Sequence, residues 1–199
     1  MESTSVIGIW GALEQADKAA TLAINSINSP VTDFIWKAFS NIPAWIPLYI
    51  GVVVFLYIKL GWKKASIFTL CCVLTVLCCD QFGNVCKDFF ERLRPCHDPY
   101  MLDSGLHIAE KLGGKYGFYS AHAANSMGFA LCSSIGFKQA GRARGYSCAI
   151  TIWALLVAIS RVFVGKHFLG DVIVGAAVGA VIAFAMASLG KYAIKRLKL

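Results

Sequence analysis

Apolar runs separated by short charged segments make up most of the chain. Five such runs follow one another, at about residues 43–58, 65–79, 120–137, 146–163 and 170–189. A helix needs roughly 20 mostly apolar residues to cross the hydrocarbon core of a bilayer, and each run with its flanks approaches that length. The pattern predicts an all-α integral membrane protein with about five transmembrane helices in a bundle. In the last run, Gly175 and Gly179 form a G-x-x-x-G sequence, which permits close contact with another helix.

The first 40 residues show a different pattern, in which charged side chains interrupt the apolar ones. Glu14 and Asp17 lie among isoleucine, leucine and tryptophan residues, and Asn28-Ser29-Pro30 is typical of a break between helices. We expect residues 1–40 to form an amphipathic segment of two short helices at the membrane interface. Residues 41–199 are expected to form the transmembrane domain. The N-terminal sequence does not have the basic, apolar and small-residue regions of a cleaved signal peptide, so we expect none.

The composition favours a membrane protein over other classes. The chain is 57% hydrophobic and 15% charged, whereas soluble domains are about 45–50% apolar. Its net charge of +8 would also suit a nucleic-acid binder. However, long apolar runs rather than basic tracts dominate the sequence, so no nucleic-acid partner is expected.

The eight cysteines do not follow a metal-binding or disulfide pattern. Four of them, Cys71, Cys72, Cys78 and Cys79, fall inside the apolar run at 65–79. The chain contains no C-x-x-C pair. We interpret these four as small packing residues. A disulfide between Cys86 and Cys96 stays an open question on their spacing alone, because it depends on an oxidising compartment.

Lysine and arginine residues concentrate at one end of the predicted spans. Ten of the 19 lie in three segments, which are the loop at 59–64, the loop formed by Lys138, Arg142 and Arg144, and the tail from Lys191 onward. Because cytoplasmic loops carry the excess of basic residues, these segments and the C-terminus should be cytoplasmic. The other ends of the spans should then face the extracytoplasmic side.

Three groups of polar residues occur at the predicted extracytoplasmic ends of the spans. An ionisable residue costs roughly 2.5–3.5 kcal/mol near the bilayer centre on insertion scales, so several of them together indicate a function. The members are Lys87 and Arg94, Ser120 and His122, and Arg161, His167 and Asp171.

The cationic members of these groups suit the binding of a phosphate. Lys87, Arg94 and Arg161 would neutralise the anion and stabilise the charge on its oxygens during phosphoryl transfer. The helix N-terminus at Ser120 would add backbone donors and a favourable dipole. A site with this composition predicts an anionic substrate.

The two histidines suit nucleophilic and acid–base roles. His167 and Asp171 are four residues apart, so a helix that begins near Lys166 would place both on one face, where the carboxylate orients the imidazole. His167 would attack phosphorus and form a phosphohistidine, and His122 would donate the proton to the leaving group and then activate water. Taken alone, His-x-x-x-Asp is a short pattern that a polar helix end also produces.

Three ordered motifs resemble those of a known family. K-x6-R-P is matched by Lys87 and Arg94-Pro95, and S-R-x5-H-x3-D is matched from Ser160 to Asp171. P-S-G-H is approached by residues 119–122, where Tyr119 replaces proline and Ala121 replaces glycine. Across residues 43–190 the chain is similar to the type 2 phosphatidic acid phosphatases, the membrane branch of a superfamily that also includes vanadium haloperoxidases.

The resemblance implies an all-helical lipid phosphatase that is independent of metal ions and has no cofactor. It assigns catalysis to His167, His122 and Asp171, and phosphate binding to Lys87, Arg94, Ser120 and Arg161. Tyr119 and Ala121 depart from the family motif. We expect them to change the shape of the loop and its fit to substrate more than the reaction.

The leading functional hypothesis is hydrolysis of a phosphate monoester or diphosphate ester of an envelope lipid, in the bacterial inner (cytoplasmic) membrane. Candidate substrates are undecaprenyl diphosphate, a lipid A phosphate, and phosphatidylglycerol phosphate or phosphatidate. A phosphotransferase that passes the phosphoryl group to a second lipid would use the same residues. An ion or proton path is a less favoured, non-enzymatic alternative, because the charges lie at one face. The oligomeric state stays open.

Polar residues outside the motifs are interpreted as surface groups. Arg92 and Lys166 are expected to face solvent or lipid headgroups. His97 and His107 lie in the loop at 92–118 with no partner at a useful spacing, so we expect surface histidines.

Overall fold

The structure, a computed structural model, describes residues 2–141 and 143–199, with side chains from residue 8 onward. Arg142 of the predicted basic loop lies outside the described residues. Within these residues, seven α-helices are connected by loops and by 3-10 turns at Ile42–Trp45, Pro95–His97 and Lys138–Ala140. The helices are α1 (Glu2–Asn25), α2 (Pro30–Ser40), α3 (Ile46–Phe90), α4 (Pro99–Asp103), α5 (Ala121–Phe137), α6 (Arg144–Phe163) and α7 (Leu169–Arg196).

The all-α prediction is confirmed. Within the described residues there is no β-strand, and the bridge between Leu93 and Tyr116 is isolated. In the part of the chain that the structure describes, three helices, α3, α6 and α7, are long and apolar enough to cross a membrane. The expected number of five spans stays a prediction, because α5 has 17 residues and α3 is bent.

The first two predicted spans are the two arms of α3. Gly61 separates them with φ +71° and ψ 164°, a conformation that a residue with a Cβ rarely adopts. The arms fold back on each other, since the hydroxyls of Tyr57 and Ser66 lie 2.9 Å apart across the bend. The result is a helical hairpin whose tip carries the basic segment at 59–64.

Close packing of α5 against α7 places two of the predicted motifs side by side. Gly175 and Gly179 on α7 are buried, and a Cβ on either would collide with the backbone of α5, at the carbonyls of Ser120 and Ala124 respectively. The G-x-x-x-G sequence therefore acts as expected and lets the helix backbones touch. Only glycine at these two positions allows the approach.

The loops gather at two opposite ends of the bundle. Phe137 contacts Phe55 and Tyr146 with ring centroids 5.0 and 4.3 Å apart, which brings together the hairpin tip, the end of α5 and the start of α6. The loop at 91–120 and the turn at 164–168 lie at the other end, where Ser120 N donates to Asp171 O at 3.0 Å. The second end holds the candidate site.

The N-terminal segment forms two helices separated at the expected residues. α2 begins after Ser29, whose hydroxyl accepts from Thr32 N at 3.1 Å, and Pro30 occupies its first turn. α1 packs against α6 and α7 at the end of the bundle that holds the site. The membrane-interface position of residues 1–40 stays a prediction.

Candidate active site

The turn between α6 and α7 holds His167 by backbone hydrogen bonds. The carbonyl of Arg161 accepts from the N–H groups of both Lys166, at 2.9 Å, and His167, at 3.2 Å. Gly165 has φ +75°, and a Cβ there would lie 2.7 Å from the carbonyl oxygen of His107. The backbone therefore needs glycine at 165 to present His167 in this position.

His167 and Asp171 face each other, as the sequence predicted, but not from one helix. α7 begins at Leu169, three residues after the expected start, so His167 precedes the helix and Asp171 lies in its first turn. The reason is local: Asp171 Oδ2 accepts from Phe168 N at 3.1 Å and so caps the helix there. His167 Nδ1 lies 3.5 Å from the same Oδ2.

This histidine–aspartate pair is almost fully enclosed. His167 is 3% exposed and Asp171 is 0% exposed. The 3.5 Å separation is longer than a normal hydrogen bond, and Nδ1 has no hydrogen-bond partner among the described residues. A small movement of the imidazole toward the carboxylate would complete the bond, as is common when a catalytic site binds substrate.

Burial lowers the pKa of His167 from its ordinary value of 6.5 to about 4, because the protein interior disfavours the imidazolium. The carboxylate of Asp171 acts in the opposite direction, and the cations of Arg161 and Arg94 lower the pKa further. The ring is therefore neutral near pH 7, which is the form that can act as a nucleophile.

Arg94 packs beside this pair through Gly117. A Cβ on Gly117 would lie 2.8 Å from Arg94 Cγ, 3.4 Å from Asp171 Oδ2 and 3.5 Å from His167 Nδ1. Arg94 Nε donates to the carbonyl of Tyr116 at 3.0 Å, which fixes the direction of its guanidinium. The structure thus brings the first and third motifs together around a glycine that the sequence analysis did not single out.

Arg161 is buried on the other side of the site. Its side chain is 6% exposed, and Nη1 donates to the hydroxyl of Ser40 on α2 and lies 3.4 Å from Glu110 Oε2. Its Nε has no partner among the described residues. A buried guanidinium with an unused donor is suited to an anionic ligand.

The second motif forms the start of α5. Ser120 is fully buried and its Oγ accepts from Ala123 N at 3.5 Å, so it caps the helix. Tyr119, where the family has proline, is 1% exposed and donates its hydroxyl to Cys79 O at 2.7 Å. This bond ties the motif to the second arm of α3. His122 follows in the first turn of α5.

Lys87 has a hydrogen-bond partner on its own helix. Its ammonium donates to Asn84 Oδ1 at 3.1 Å, one turn earlier on α3. It is close enough to Arg94 for the two cations to interact electrostatically. The phosphate-binding role of Lys87 stays a prediction.

Three residues that we expected at the surface have specific partners instead. Arg92 forms ion pairs of 2.6 Å with both Asp17 and Asp171. Lys166 is 3% exposed and donates to the carbonyls of Lys111 and Leu112. His107 Nε2 lies 2.8 Å from Asp33 Oδ2 on α2. The surface expectation was wrong for Lys166, while the side chains of Arg92 and His107 are still 28% and 33% exposed. The partners were not foreseen because each is 54 or more residues away in sequence.

Two cavities meet at His122. A mouth at the surface is lined by charged and polar residues together with Arg161. An apolar cavity of about 350 Å³ runs between the arms of α3 and the start of α5. The residues that line the mouth include Lys37, Ser40, Glu110 and Lys111, and those of the cavity include Trp45, Tyr49, Cys72, Val76 and Phe129. His122 lines both.

The buried cysteines and the remaining potential metal ligands do not gather into one cluster within the described part of the chain. Cys86 and Cys96 are buried free thiols, and Cys96 Sγ lies 3.6 Å from the carbonyl of Leu112. Among the residues that the structure describes, no three His, Cys, Asp or Glu side chains group as metal ligands would. Independence from metal ions stays a prediction.

Comparison with solved structures finds the same fold in two other proteins. The PAP2-type phosphatidylglycerolphosphate phosphatase of Bacillus subtilis superposes with a TM-score of 0.71 at 19% identity, covering 91% of this chain and 87% of its own. LpxE of Aquifex aeolicus superposes with a TM-score of 0.67 at 21% identity, covering 85% of this chain and 93% of its own.

Curated relatives extend the similarity to sequence. The lipid A 4'-phosphatase of Porphyromonas gingivalis is 33% identical over 185 residues, which are 92% of this chain and 76% of the relative. That of Bacteroides thetaiotaomicron is 32% identical over 169 residues, 84% of this chain and 73% of the relative. The sequence profile of the PAP2 superfamily matches residues 64–195, which contain all three motifs. The chain therefore belongs to the PAP2 superfamily, as its motifs predicted.

Proposed function

We propose that this protein hydrolyses a phosphate ester of an envelope lipid through a phosphohistidine formed on His167. The observation that carries the proposal is the position of His122, which lines both a charged mouth and an apolar cavity. A substrate with an anionic headgroup and a hydrocarbon tail matches these two environments. Membership of the PAP2 superfamily, together with about one-third identity to two lipid A 4'-phosphatases, supports a phosphoric ester hydrolase.

The first step of the proposed reaction uses both histidines. Because Nδ1 of His167 faces Asp171, the neutral ring carries its proton on Nδ1 and keeps the lone pair of Nε2 for attack. Nε2 forms a bond to phosphorus as the bond from phosphorus to the ester oxygen breaks. The departing oxygen takes a proton from His122, and Arg94 and Arg161 neutralise the phosphoryl oxygens.

The second step restores the enzyme. Neutral His122 removes a proton from a water molecule whose oxygen attacks phosphorus, and the bond between phosphorus and Nε2 breaks. Inorganic phosphate leaves, His167 regains its lone pair, and His122 is again protonated. No external oxidant, reductant or cofactor is needed for this cycle to balance.

The substrate that the comparisons favour is a lipid A-type phosphate. Two relatives that are 33% and 32% identical bear the name lipid A 4'-phosphatase, whereas the Bacillus subtilis phosphatidylglycerophosphatase B is 28% identical. The mouth is exposed, which leaves room for a headgroup larger than phosphate alone. Lys37 and Lys111 line it and add positive charge. We therefore rank phosphatidylglycerol phosphate, phosphatidate and undecaprenyl diphosphate after lipid A phosphate.

We further propose that the site faces the extracytoplasmic side of the bacterial inner membrane, with the C-terminus in the cytoplasm. The basic segments at the hairpin tip, before α6 and after α7 lie at the end of the bundle opposite His167. Since basic segments remain in the cytoplasm, the site would open to the other side. Labelling of single cysteines in intact cells would test this orientation.

The decisive experiment is a phosphate-release assay on the purified protein in detergent with the four lipids. We expect release from lipid A phosphate above all, and its loss in His167→Gln and His122→Ala. Full activity of either variant would overturn the mechanism, and absence of release from every lipid would overturn the class. Labelled phosphate on an added lipid, instead of in solution, would identify a phosphotransferase.

A further inference from the structure

Arg92 joins the N-terminal helix to the aspartate of the histidine–aspartate pair. Its Nη1 donates to Asp171 Oδ1 and its Nη2 to Asp17 Oδ2, both at 2.6 Å. The face of the guanidinium lies over the ring of Phe168, 4.3 Å from its centroid. Charge-assisted pairs this short are among the stronger hydrogen bonds in proteins, so they hold the guanidinium of Arg92 in place.

The same face of α1 binds the turn that carries His167. Asp17 Oδ1 accepts from Gly170 N at 2.8 Å, and Thr21 Oγ1 accepts from Leu169 N at 3.0 Å. These two bonds satisfy backbone donors at the start of α7, which have no partner within the helix. Asp17 and Thr21 are four residues apart and therefore lie on one stripe of α1.

Asn25, one turn farther along the same stripe, holds the other side of the turn. Its amide donates to the carbonyls of Val162 and Phe163 at 3.2 and 3.0 Å, at the end of α6. Its Oδ1 accepts from His107 N at 2.8 Å. The polar stripe of α1 thus holds the backbone both before and after His167.

From this geometry we propose that Arg92 and Asp17 are positioning residues for the His167–Asp171 pair, so that the polar stripe of α1 helps to orient the proposed nucleophile. This inference rests on the proposed phosphatase function. The proposal gives Asp17, in the segment expected only to lie at the membrane interface, a role in the site. It gives the same kind of role to Arg92, which was expected at the surface.

The physical reason lies in how the buried carboxylate is satisfied. Asp171 is 0% exposed. Apart from the facing imidazole, its Oδ1 accepts from Arg92 and its Oδ2 accepts from Phe168 N. These two donors fix the plane of the carboxylate and direct the free lone pair of Oδ2 toward His167 Nδ1. Without Arg92, the buried charge would turn toward another donor and the imidazole would lose its orientation.

Arg92 differs in this respect from Arg94 and Arg161. Each of its terminal nitrogens is engaged by a carboxylate, and the two negative charges offset its positive charge, so it is less suited to bind a phosphate. Its replacement should therefore slow the chemical step while leaving substrate binding nearly unchanged. A lower kcat with a nearly unchanged KM distinguishes a positioning residue from a phosphate ligand.

The test compares Arg92→Gln, Arg92→Lys and Asp17→Asn with a matched control, Lys18→Met. Lys18 lies next to Asp17 and anchors α1 through Asp98 at 3.0 Å, but it has no contact with Asp171 among the described residues. We expect kcat to fall about 10–100-fold in Arg92→Gln, less in Asp17→Asn, and to an intermediate extent in Arg92→Lys. KM should change less than about threefold, and Lys18→Met should match the wild type.

The pH profile gives a readout that a purely structural role would not change. Asp171, Arg94, Arg161 and His122 all act on His167 electrostatically and are retained in Arg92→Gln. Removing Arg92 leaves the charge of Asp171 less neutralised, which favours the imidazolium. The acid limb of kcat/KM should then move to higher pH in Arg92→Gln and stay in place in Lys18→Met.

Affinity for orthovanadate, a phosphate mimic, is measured in parallel because it does not depend on the choice of lipid. A wild type that binds vanadate and releases phosphate, with Arg92→Gln matching it in kcat and pH profile, would overturn this inference but leave the proposed function intact. A wild type inactive on every lipid would overturn the proposed function. Equal losses in Asp17→Asn and Lys18→Met would show that α1 has only a structural role and would also overturn the inference.

Discussion

The imidazole Nδ1 of His167 lies 3.5 Å from Oδ2 of Asp171, in a pocket where both side chains are almost completely buried. The histidine precedes α7 and the aspartate belongs to its first turn. Asp171 therefore has two tasks, because its Oδ2 caps the helix at Phe168 N and also faces the ring that we propose as nucleophile.

The first prediction concerns this pair. Asp171→Asn keeps the size of the side chain but removes the charge that holds the proton on Nδ1. We expect kcat to fall about 100-fold or more, with KM nearly unchanged, because the wrong tautomer would face the substrate. Steady-state kinetics on the best lipid would measure both constants. A variant that retains more than half of the wild-type kcat would exclude the orienting role.

The second prediction concerns Gly117. In Gly117→Ala the new Cβ would lie 2.8 Å from Arg94 Cγ and force this side chain away from the His167–Asp171 pair. We expect kcat/KM and vanadate affinity to fall about tenfold or more. Gly114→Ala is the matched control, since its Cβ would meet nothing within 4 Å. Similar losses in both variants would indicate a general effect on the loop rather than displacement of Arg94.

The third prediction is a pH dependence. Because burial lowers the pKa of His167 to about 4, the ring stays neutral as pH falls from 7 through the ordinary histidine range. The acid limb of kcat/KM that reports the nucleophile should therefore lie near pH 4, not near pH 6.5, with activity lost as protons are added. A pH–rate profile would locate it. A wild-type acid limb near pH 6.5 would contradict this prediction.

The fourth prediction tests the apolar cavity. Val76 lines it, so Val76→Trp should fill part of the space between the arms of α3 and α5. We expect kcat/KM for a long-chain lipid to fall about tenfold, while that for a water-soluble phosphate monoester changes less than about twofold. Val85→Trp, at a position that is 63% exposed, is the control. Equal losses on both substrates would show damage to the catalytic site instead of exclusion of the tail.

The fifth prediction concerns the contact between α5 and α7. Gly179→Ala would place a methyl group against the backbone of Ala124, and overpacking of this kind costs about 1–3 kcal/mol. A lower midpoint of thermal unfolding in detergent should accompany reduced activity, since the second and third motifs meet where Ser120 N donates to Asp171 O. Gly51→Ala, whose Cβ would meet nothing, should leave the midpoint unchanged or raise it.

Much of the fold follows from local sequence. The apolar runs predicted the arms of α3 and the helices α5, α6 and α7, because a segment in a membrane must satisfy its own backbone hydrogen bonds and so becomes helical. The spacing of Gly175 and Gly179 predicted a close helix contact for a similarly local reason. The approach of His167 to Asp171 was also predicted, although the helix begins three residues later than expected.

Other features could not be predicted because they depend on residues distant in the chain. Arg92 bridges Asp17 and Asp171, which are 75 and 79 residues away, and Lys166 reaches carbonyls 54 and 55 residues away. A charged side chain looks the same in sequence whether it faces water or a buried carboxylate.

Sequence by itself determined the class of the protein, its helices and the residue types of its site, since hydrophobicity and helix formation act over neighbouring residues. Tertiary structure alone decided which charges meet. It placed α1 against the turn that holds His167, and it put Gly117 where only a residue without a side chain fits. The physical reason is that a buried ion pair or a steric contact is a property of two surfaces, and folding determines which surfaces come together.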